Sequence, residues 1–340
     1  MEASKPETLM EYLDPENYIG RLVELPKDLN PLYDLDVVIR AKMLWANPIL
    51  NGKLLPAYLM LKHAQEAGRL KGARTLVEAT SGNMAVALAI LGRYFGIERV
   101  IAVVPPNIAE GKRELLRFYG VEVMPSEDGI EMAKAMGERP GFLNLFQYGN
   151  DSNPAGYYRF LAPTIFEQMA GKISIVAAGL GTTGTIQGIS EYLREKNVGT
   201  LVLGVITAAG ESIPGVRTDE KLKEIKFDWG KLVDETERVG KDDAMRSSLA
   251  LCRAGILAGP SSGFVLAGLM KFLRRQQRAG SLDTLRDGDG IVEAVFICFD
   301  PPHPYIHDYH HYYDETKCNV THTEGGLHLE QAPNSLTEAF

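Results

Sequence analysis

Three short stretches hold the side chains whose types and order could do chemistry. Asn47-Pro48-Ile49-Leu50-Asn51-Gly52-Lys53 ends in a lysine, and Thr80-Ser81-Gly82-Asn83 offers two hydroxyls and an amide. Gly179-Leu180-Gly181-Thr182-Thr183-Gly184-Thr185 mixes glycine with threonine. Both later stretches follow an apolar run and open a run with helical spacing. A helix start presents free backbone N–H groups, and hydroxyls beside them suit a compact monoester phosphate. An amine, an amide-bearing turn and a phosphate cradle, in that order, are the parts needed to hold pyridoxal phosphate as a Schiff base.

Each motif has a competitor. A P-loop would need glycine where Asn47 stands and Ser or Thr where Leu54 stands, so Gly52-Lys53 fails it twice. An isolated lysine is most often solvated. Lys53, though, sits between a proline-containing turn and an apolar helix, where partial burial would lower its pKa and free a nucleophilic amine. Gly179-x-Gly181-x-x-Gly184 fits the dinucleotide fingerprint, but the strand after it ends in Ala208-Ala209, with no acid to hold a ribose. Thr80-Ser81-Gly82-Asn83 could be a helix N-cap and nothing more. The same helix start could also bind a carboxylate.

The elements that must carry these motifs alternate. Residues 54–70, 84–95 and 110–119 have helical spacing, while 75–79, 100–104, 121–124 and 143–146 read as short strands. The alternation restarts at 173–178, runs through a helix to Glu195, and continues with strands at 201–207 and 291–299. Between these last two lie an acidic, irregular stretch (210–241) and two helices. The pattern predicts an α/β chain with two open, twisted, mostly parallel sheets flanked by helices, cut near Tyr157.

Composition narrows the function classes. The chain has 340 residues, 45% of them apolar and 24% charged, as in an ordinary globular protein large enough for two domains. A net charge of −8 argues against nucleic acid or an anionic membrane as the main partner. No run approaches a membrane span and no leader pattern opens the chain, so a cytoplasmic location is expected. Cys252, Cys298 and Cys318 are too far apart for a disulfide framework or a paired-cysteine metal site. Six of the seven histidines crowd the tail after Pro301. There His307 and His311 would share a helix face, yet without a His-Glu-x-x-His pattern a polar extension is the preferred reading and no metal is expected.

Taken together, Ala41-Lys42-Met43-Leu44-Trp45-Ala46-Asn47-Pro48 through Lys53, Glu78-Ala79-Thr80-Ser81-Gly82-Asn83, Gly181-Thr182-Thr183-Gly184-Thr185 and Gly255-Ile256-Leu257-Ala258-Gly259-Pro260-Ser261-Ser262-Gly263 resemble the cysteine synthase/cystathionine β-synthase family. These are fold-type II pyridoxal-phosphate enzymes with a tryptophan synthase β-like fold, and the likeness spans roughly residues 18–300 in the family's order. The resemblance implies that Lys53 is the catalytic, cofactor-bearing lysine. It places Asn83 at the cofactor's phenolic oxygen and Gly181, Thr182, Thr183, Gly184 and Thr185 around its phosphate. Ser261 falls at the pyridine nitrogen, and Thr80, Ser81 and Gln147 at the substrate carboxylate. A neutral hydroxyl at the nitrogen leaves it largely unprotonated and the ring a weaker electron sink, which suits β-elimination.

The implied organisation is a large cofactor-binding domain (1–53 with 158–300), a small substrate-binding domain (54–157) and a His-rich extension (301–340), in a homodimer. The implied reaction is β-replacement on an O-activated L-serine through an aminoacrylate, with sulfide as the default nucleophile. An amine nucleophile giving a diaminopropionate-type product is the alternative, followed by a cofactor-binding regulatory protein without turnover and, more distantly, a nicotinamide-dependent dehydrogenase. Departures from the family pattern fall mainly on the substrate side. Met84 stands where a carboxylate-binding Thr is usual, Thr183 replaces a common glycine, and the last strand ends in Asp300-Pro301-Pro302-His303.

Overall fold

The computed structural model describes residues 8–18, 20–196, 199–312, 320–323 and 326–329. Two sheets organise it. The larger has six strands in the order β1 (Leu22–Glu24), β2 (Val37–Met43), β10 (Val292–Cys298), β7 (Ile175–Gly179), β8 (Leu201–Thr207) and β9 (Glu235–Val239). Within this sheet only the β1–β2 pairing is antiparallel. The smaller has four parallel strands in the order β5 (Glu122–Pro125), β4 (Arg99–Val104), β3 (Thr75–Ala79) and β6 (Phe142–Leu143). Every residue of β3 is buried, as expected of a parallel strand covered on both faces.

One hydrophobic core joins the sheets. Helices Leu54–Glu66, Asn83–Gly92, Ser152–Phe160 and Gly184–Glu195 pack together in it through Leu59, Leu88, Tyr157 and Ile189. A second core lies under helix Pro260–Arg278 on the other face of the six-stranded sheet. Tyr157, where the sequence pattern suggested a cut, falls inside Ser152–Phe160. Among the described residues no helix is long and apolar enough to cross a membrane.

Several elements differ from the sequence pattern, for identifiable reasons. β9 lies inside the stretch read as irregular; its Glu-Thr-Glu-Arg-Val sequence hides the alternation, because the buried Glu237 is neutralised by Arg275 at 2.9 Å. β1 and β2 had no predicted strand, since Arg40 and Lys42 interrupt the apolar run. Lys42 is fully buried, with its ammonium donating to the Gly20 carbonyl (2.6 Å) and Gln168 Oε1 (2.7 Å). β6 stops at Leu143 instead of reaching residue 146, because the next residues turn inward to a buried carboxylate described below. The tail forms a 3₁₀ segment His303–Tyr312 that buries Tyr305, Tyr309 and Tyr312. Among the described residues no cluster of metal-ligating side chains occurs. Cys252 and Cys298 are free thiols, and Cys318 lies outside the described residues.

Candidate active site

Open parallel sheets place their ligands beyond the carboxyl ends of the strands. Here β3, β7, β10 and the loop after β2 all end at one cleft of about 690 Å³ between the two sheets. It is lined by Lys53, Thr80, Ser81, Gly82, Asn83 and Met84, by Gln147, by Gly181, Thr182, Thr183 and Thr185, and by Ser261. Thus stretches spread along the sequence from Lys53 to Ser261 meet at a single cavity. Gly184 is the exception among the expected residues. It is buried at the start of its helix, where a Cβ would come within 2.5 Å of Asn153 Oδ1.

Lys53 precedes helix Leu54–Glu66, and its backbone N–H donates to Asn51 Oδ1 at 2.9 Å. Its amine lies 5.4 Å from the centre of the Phe299 ring, with no carboxylate among the described residues in ion-pair contact. Burial pulls the Lys53 ammonium down to about 8, and the charge of Glu78 opposes that shift. Glu78 is a residue that sequence reasoning noticed only as part of a motif. It is 1% exposed, and burial pushes its carboxyl up to about 7. Its oxygens accept from the N–H groups of Phe146 (3.0 Å) and Gln147 (3.3 Å). That contact is what bends the chain away from β6, with Phe146 at φ 58°.

The turn after β3 has Thr80, Ser81 and Asn83 half-buried at the N-terminus of Asn83–Gly92, facing the cleft. Gln147 is buried beneath it, its amide donating to the Ala79 carbonyl at 3.0 Å. Met84 is 1% exposed, so its thioether belongs to the core as much as to the cleft wall. The turn after β7 leads into Gly184–Glu195 with Thr183 at φ 63°. Thr182 Oγ1 accepts from Asn153 Nδ2 at 3.1 Å, whereas the buried Thr183 Oγ1 has no partner among the described residues. Gly181 passes so close to Gly215 that a Cβ would sit 2.5 Å from its carbonyl oxygen. An orphaned hydroxyl beside the free N–H groups of a helix start fits a phosphate monoester.

Ser261 lies in the first turn of Pro260–Arg278, and Asp300 lies just beyond β10 beside it. Asp300 was not among the expected site residues. It is 2% exposed, and its Oδ2 accepts from Asn83 Nδ2 and from the Tyr305 hydroxyl, each at 2.6 Å. Burial raises its carboxyl, while those donors, Ser261 and the nearby Lys112 favour the charged form. Pro304 and Tyr305 also line the cleft, so the site reaches past residue 300, where the sequence reading ended it. The signal that could have found Glu78 and Asp300 is an acid inside or directly after an apolar strand run, Thr75-Leu76-Val77-Glu78-Ala79 and Val295-Phe296-Ile297-Cys298-Phe299-Asp300. A charge there is seldom left without a function or a partner.

A sequence profile of the family described as "Pyridoxal-phosphate dependent enzyme" matches residues 22–284. Cysteine synthase B of Salmonella typhimurium is 34% identical over 235 residues, covering 67% of this chain and 77% of that protein. Cystathionine beta-synthase of Dictyostelium discoideum is 31% identical over 298 residues, covering 78% of this chain and 60% of that protein. Among solved structures, cysteine synthase from Entamoeba histolytica superposes with a TM-score of 0.74 at 23% identity, covering 93% of this chain and 95% of that one. A hydrogen sulfide-producing enzyme from Fusobacterium nucleatum gives 0.74 at 21% identity, covering 89% and 99%. The structural likenesses speak to the fold.

Proposed function

The chain belongs to the cysteine synthase/cystathionine β-synthase family of pyridoxal-phosphate dependent β-replacement enzymes, and from that premise we propose that it acts on an O-activated L-serine, with sulfide as nucleophile and cysteine as product. The observation that carries this reading is the meeting of a desolvated lysine amine, a helix-start phosphate cradle and a second helix start in one cleft. Pyridoxal phosphate, carried on a lysine amine, supplies the electron sink for bond breaking at the amino acid's α-carbon.

The chain's own residues would divide the rest of the work. Lys53 Nζ holds the cofactor and then takes the proton from the substrate Cα, a task suited to an amine whose pKa lies near operating pH. Gly181, Thr182, Thr183, Gly184 and Thr185 bind the phosphate through backbone N–H groups and hydroxyls. Asn83 would serve the cofactor's phenolic oxygen and Ser261 its ring nitrogen. Thr80, Ser81 and Gln147 form the carboxylate pocket at the start of Asn83–Gly92, where the helix dipole favours an anion. We assign residues 1–53 with 158–300 to a cofactor-binding domain and 54–157 to a substrate-binding domain. The assembly we propose is a cytoplasmic homodimer.

Incubating the purified protein with O-acetylserine, O-phosphoserine or serine, each with sulfide, tests the reading by amino-acid analysis. Cysteine from an O-activated serine is the expected product. Absence of any β-substituted product from all three, with the cofactor loaded, overturns it.

A further inference from the structure

The segment His303–Tyr312 bridges elements that belong to the two sheets. On the side of the six-stranded sheet it packs on helix Lys241–Arg253, which follows β9. Tyr305, Tyr309 and Tyr312 are buried there with Met245 in a small cluster of their own. Their hydroxyls pin the segment. Tyr305 donates to Asp300 Oδ2 and Tyr312 to Asp242 Oδ1, each at 2.6 Å, and Tyr309 shares a hydrogen bond with Ser248 Oγ.

On the side of the four-stranded sheet the segment meets helix Glu110–Phe118, which joins β4 to β5. Here the contact is of another kind. A Cβ at Gly111 would lie 3.9 Å from His307 Cδ2, so a glycine faces the edge of an exposed imidazole ring. Lys112, beside it, lines the cleft; burial lowers its ammonium, and the charges of Asp308 and Asp300 oppose that shift. Buried rings and hydrogen bonds hold the segment on one side, and an edge contact with through-space charge holds it on the other. Regions with few buried apolar contacts are the first to open. Between the two anchorages Pro304 and Tyr305 line the cleft. Movement that widens the cleft between the sheets must part the segment from one of its neighbours, and Glu110–Phe118 is the weaker attachment.

We propose that residues 303–312 are a strap across the cleft, hinged on helix Lys241–Arg253 and released from helix Glu110–Phe118 whenever a bulky molecule enters or leaves. The strap takes no part in the chemistry and sets how fast the site is reached. The inference rests on the cleft being the cofactor's site and is independent of which serine derivative is the substrate.

The test locks the strap. In the holoenzyme of the double variant Gly111→Cys/His307→Cys, a short bifunctional thiol reagent joins the two positions, and peptide mass spectrometry verifies the link. Wild type treated in the same way controls for Cys252, Cys298 and Cys318. The probe is O-benzylhydroxylamine, which captures the cofactor's aldehyde without needing the groups that recognise substrate, and capture is followed by visible absorbance. The linked protein is expected to lose most of its capture rate, and the unlinked variant to keep it. Asp308→Asn weakens the pull on Lys112 and should quicken capture about two- to fivefold, the range of a partly exposed charge pair. In hydrogen exchange read by mass spectrometry, it should raise exchange in 110–116 and 303–312 together and leave Gly184–Glu195 unchanged. Equal capture by linked and unlinked protein overturns the proposal. So does an Asp308→Asn protein whose exchange in 110–116 is unmoved. A failed β-replacement assay with capture slowed by the link would instead count against the substrate assignment alone. A chain that holds no pyridoxal phosphate would count against the cofactor reading, and the exchange measurement would still decide the strap.

Discussion

The depressed Lys53 ammonium should be visible in how the apoenzyme captures its cofactor. At pH 7.5 an amine of pKa about 8 is about one quarter unprotonated, against about one part in a thousand for an ordinary lysine at 10.5, a gain of roughly 200-fold in nucleophile. The rate of covalent capture of pyridoxal phosphate by the apoenzyme should therefore climb with pH and level off above about 8. Glu78 supplies the internal control, since its charge raises the Lys53 value. Glu78→Gln removes that charge, so the midpoint should move to lower pH. At pH 7.5 the rate can rise by at most about fourfold, when the remaining three quarters of the amine is freed. The sign depends on Glu78 being ionised. Its carboxyl sits at about 7, so well below that pH the wild type is already neutral there and the two proteins should converge. The assay is the visible absorbance of the adduct, followed by borohydride reduction and peptide mass spectrometry. Taking the ratio of the two proteins cancels the cofactor's own titration, and circular dichroism checks that the amide has not disturbed the Phe146 and Gln147 contacts. A midpoint near that of an ordinary lysine, a folded Glu78→Gln protein with an unmoved midpoint, or an adduct on a lysine other than Lys53 would refute the reasoning.

Gly181→Ala would press a methyl onto the Gly215 carbonyl and push the phosphate loop away, so cofactor affinity should fall by about 1.5–3 kcal/mol in a dialysis-retention assay. Met84→Thr should cost about 2 kcal/mol in urea unfolding, because the thioether is buried, while lowering the KM for O-acetylserine by restoring a carboxylate donor. Removal of residues 316–340 leaves Tyr305, Tyr309 and Tyr312 in place and should preserve cofactor absorbance and most activity. Loss of activity that zinc restores would revive a metal role for the histidines.

Most strands that could be read from the sequence are buried on both faces; β5, read at 121–124, is only partly buried. β3, β4, β7, β8 and β10 are mostly apolar runs, so both the elements and the functional turns after β3 and β7 were visible. β2 and β9 were not, because their charges are satisfied by partners distant in sequence. Lys42 finds Gln168, and Glu237 finds Arg275. Single-residue patterns carry no information about such pairings.

The same limit applied to the site. Lys53, Asn83, Ser261 and the threonine turn lie at element ends, where residue type and local geometry are tied, and they could be picked out. Glu78 and Asp300 act through burial, which depends on what folds over them. Glu78 becomes a modulator of Lys53 only because residues 144–147 turn inward to hydrogen-bond it. Asp300 is buried beneath Tyr305 from the tail, whose hydroxyl donates to it beside Asn83. Each carboxylate lies beside a residue that the sequence had already nominated, and each alters what that residue can do. Glu78 works against the desolvation that frees the Lys53 amine, and Asp300 holds the NH₂ end of the Asn83 amide toward itself. The motifs therefore identify the reacting groups, while the charge and orientation of those groups depend also on buried acids whose burial the motifs do not reveal.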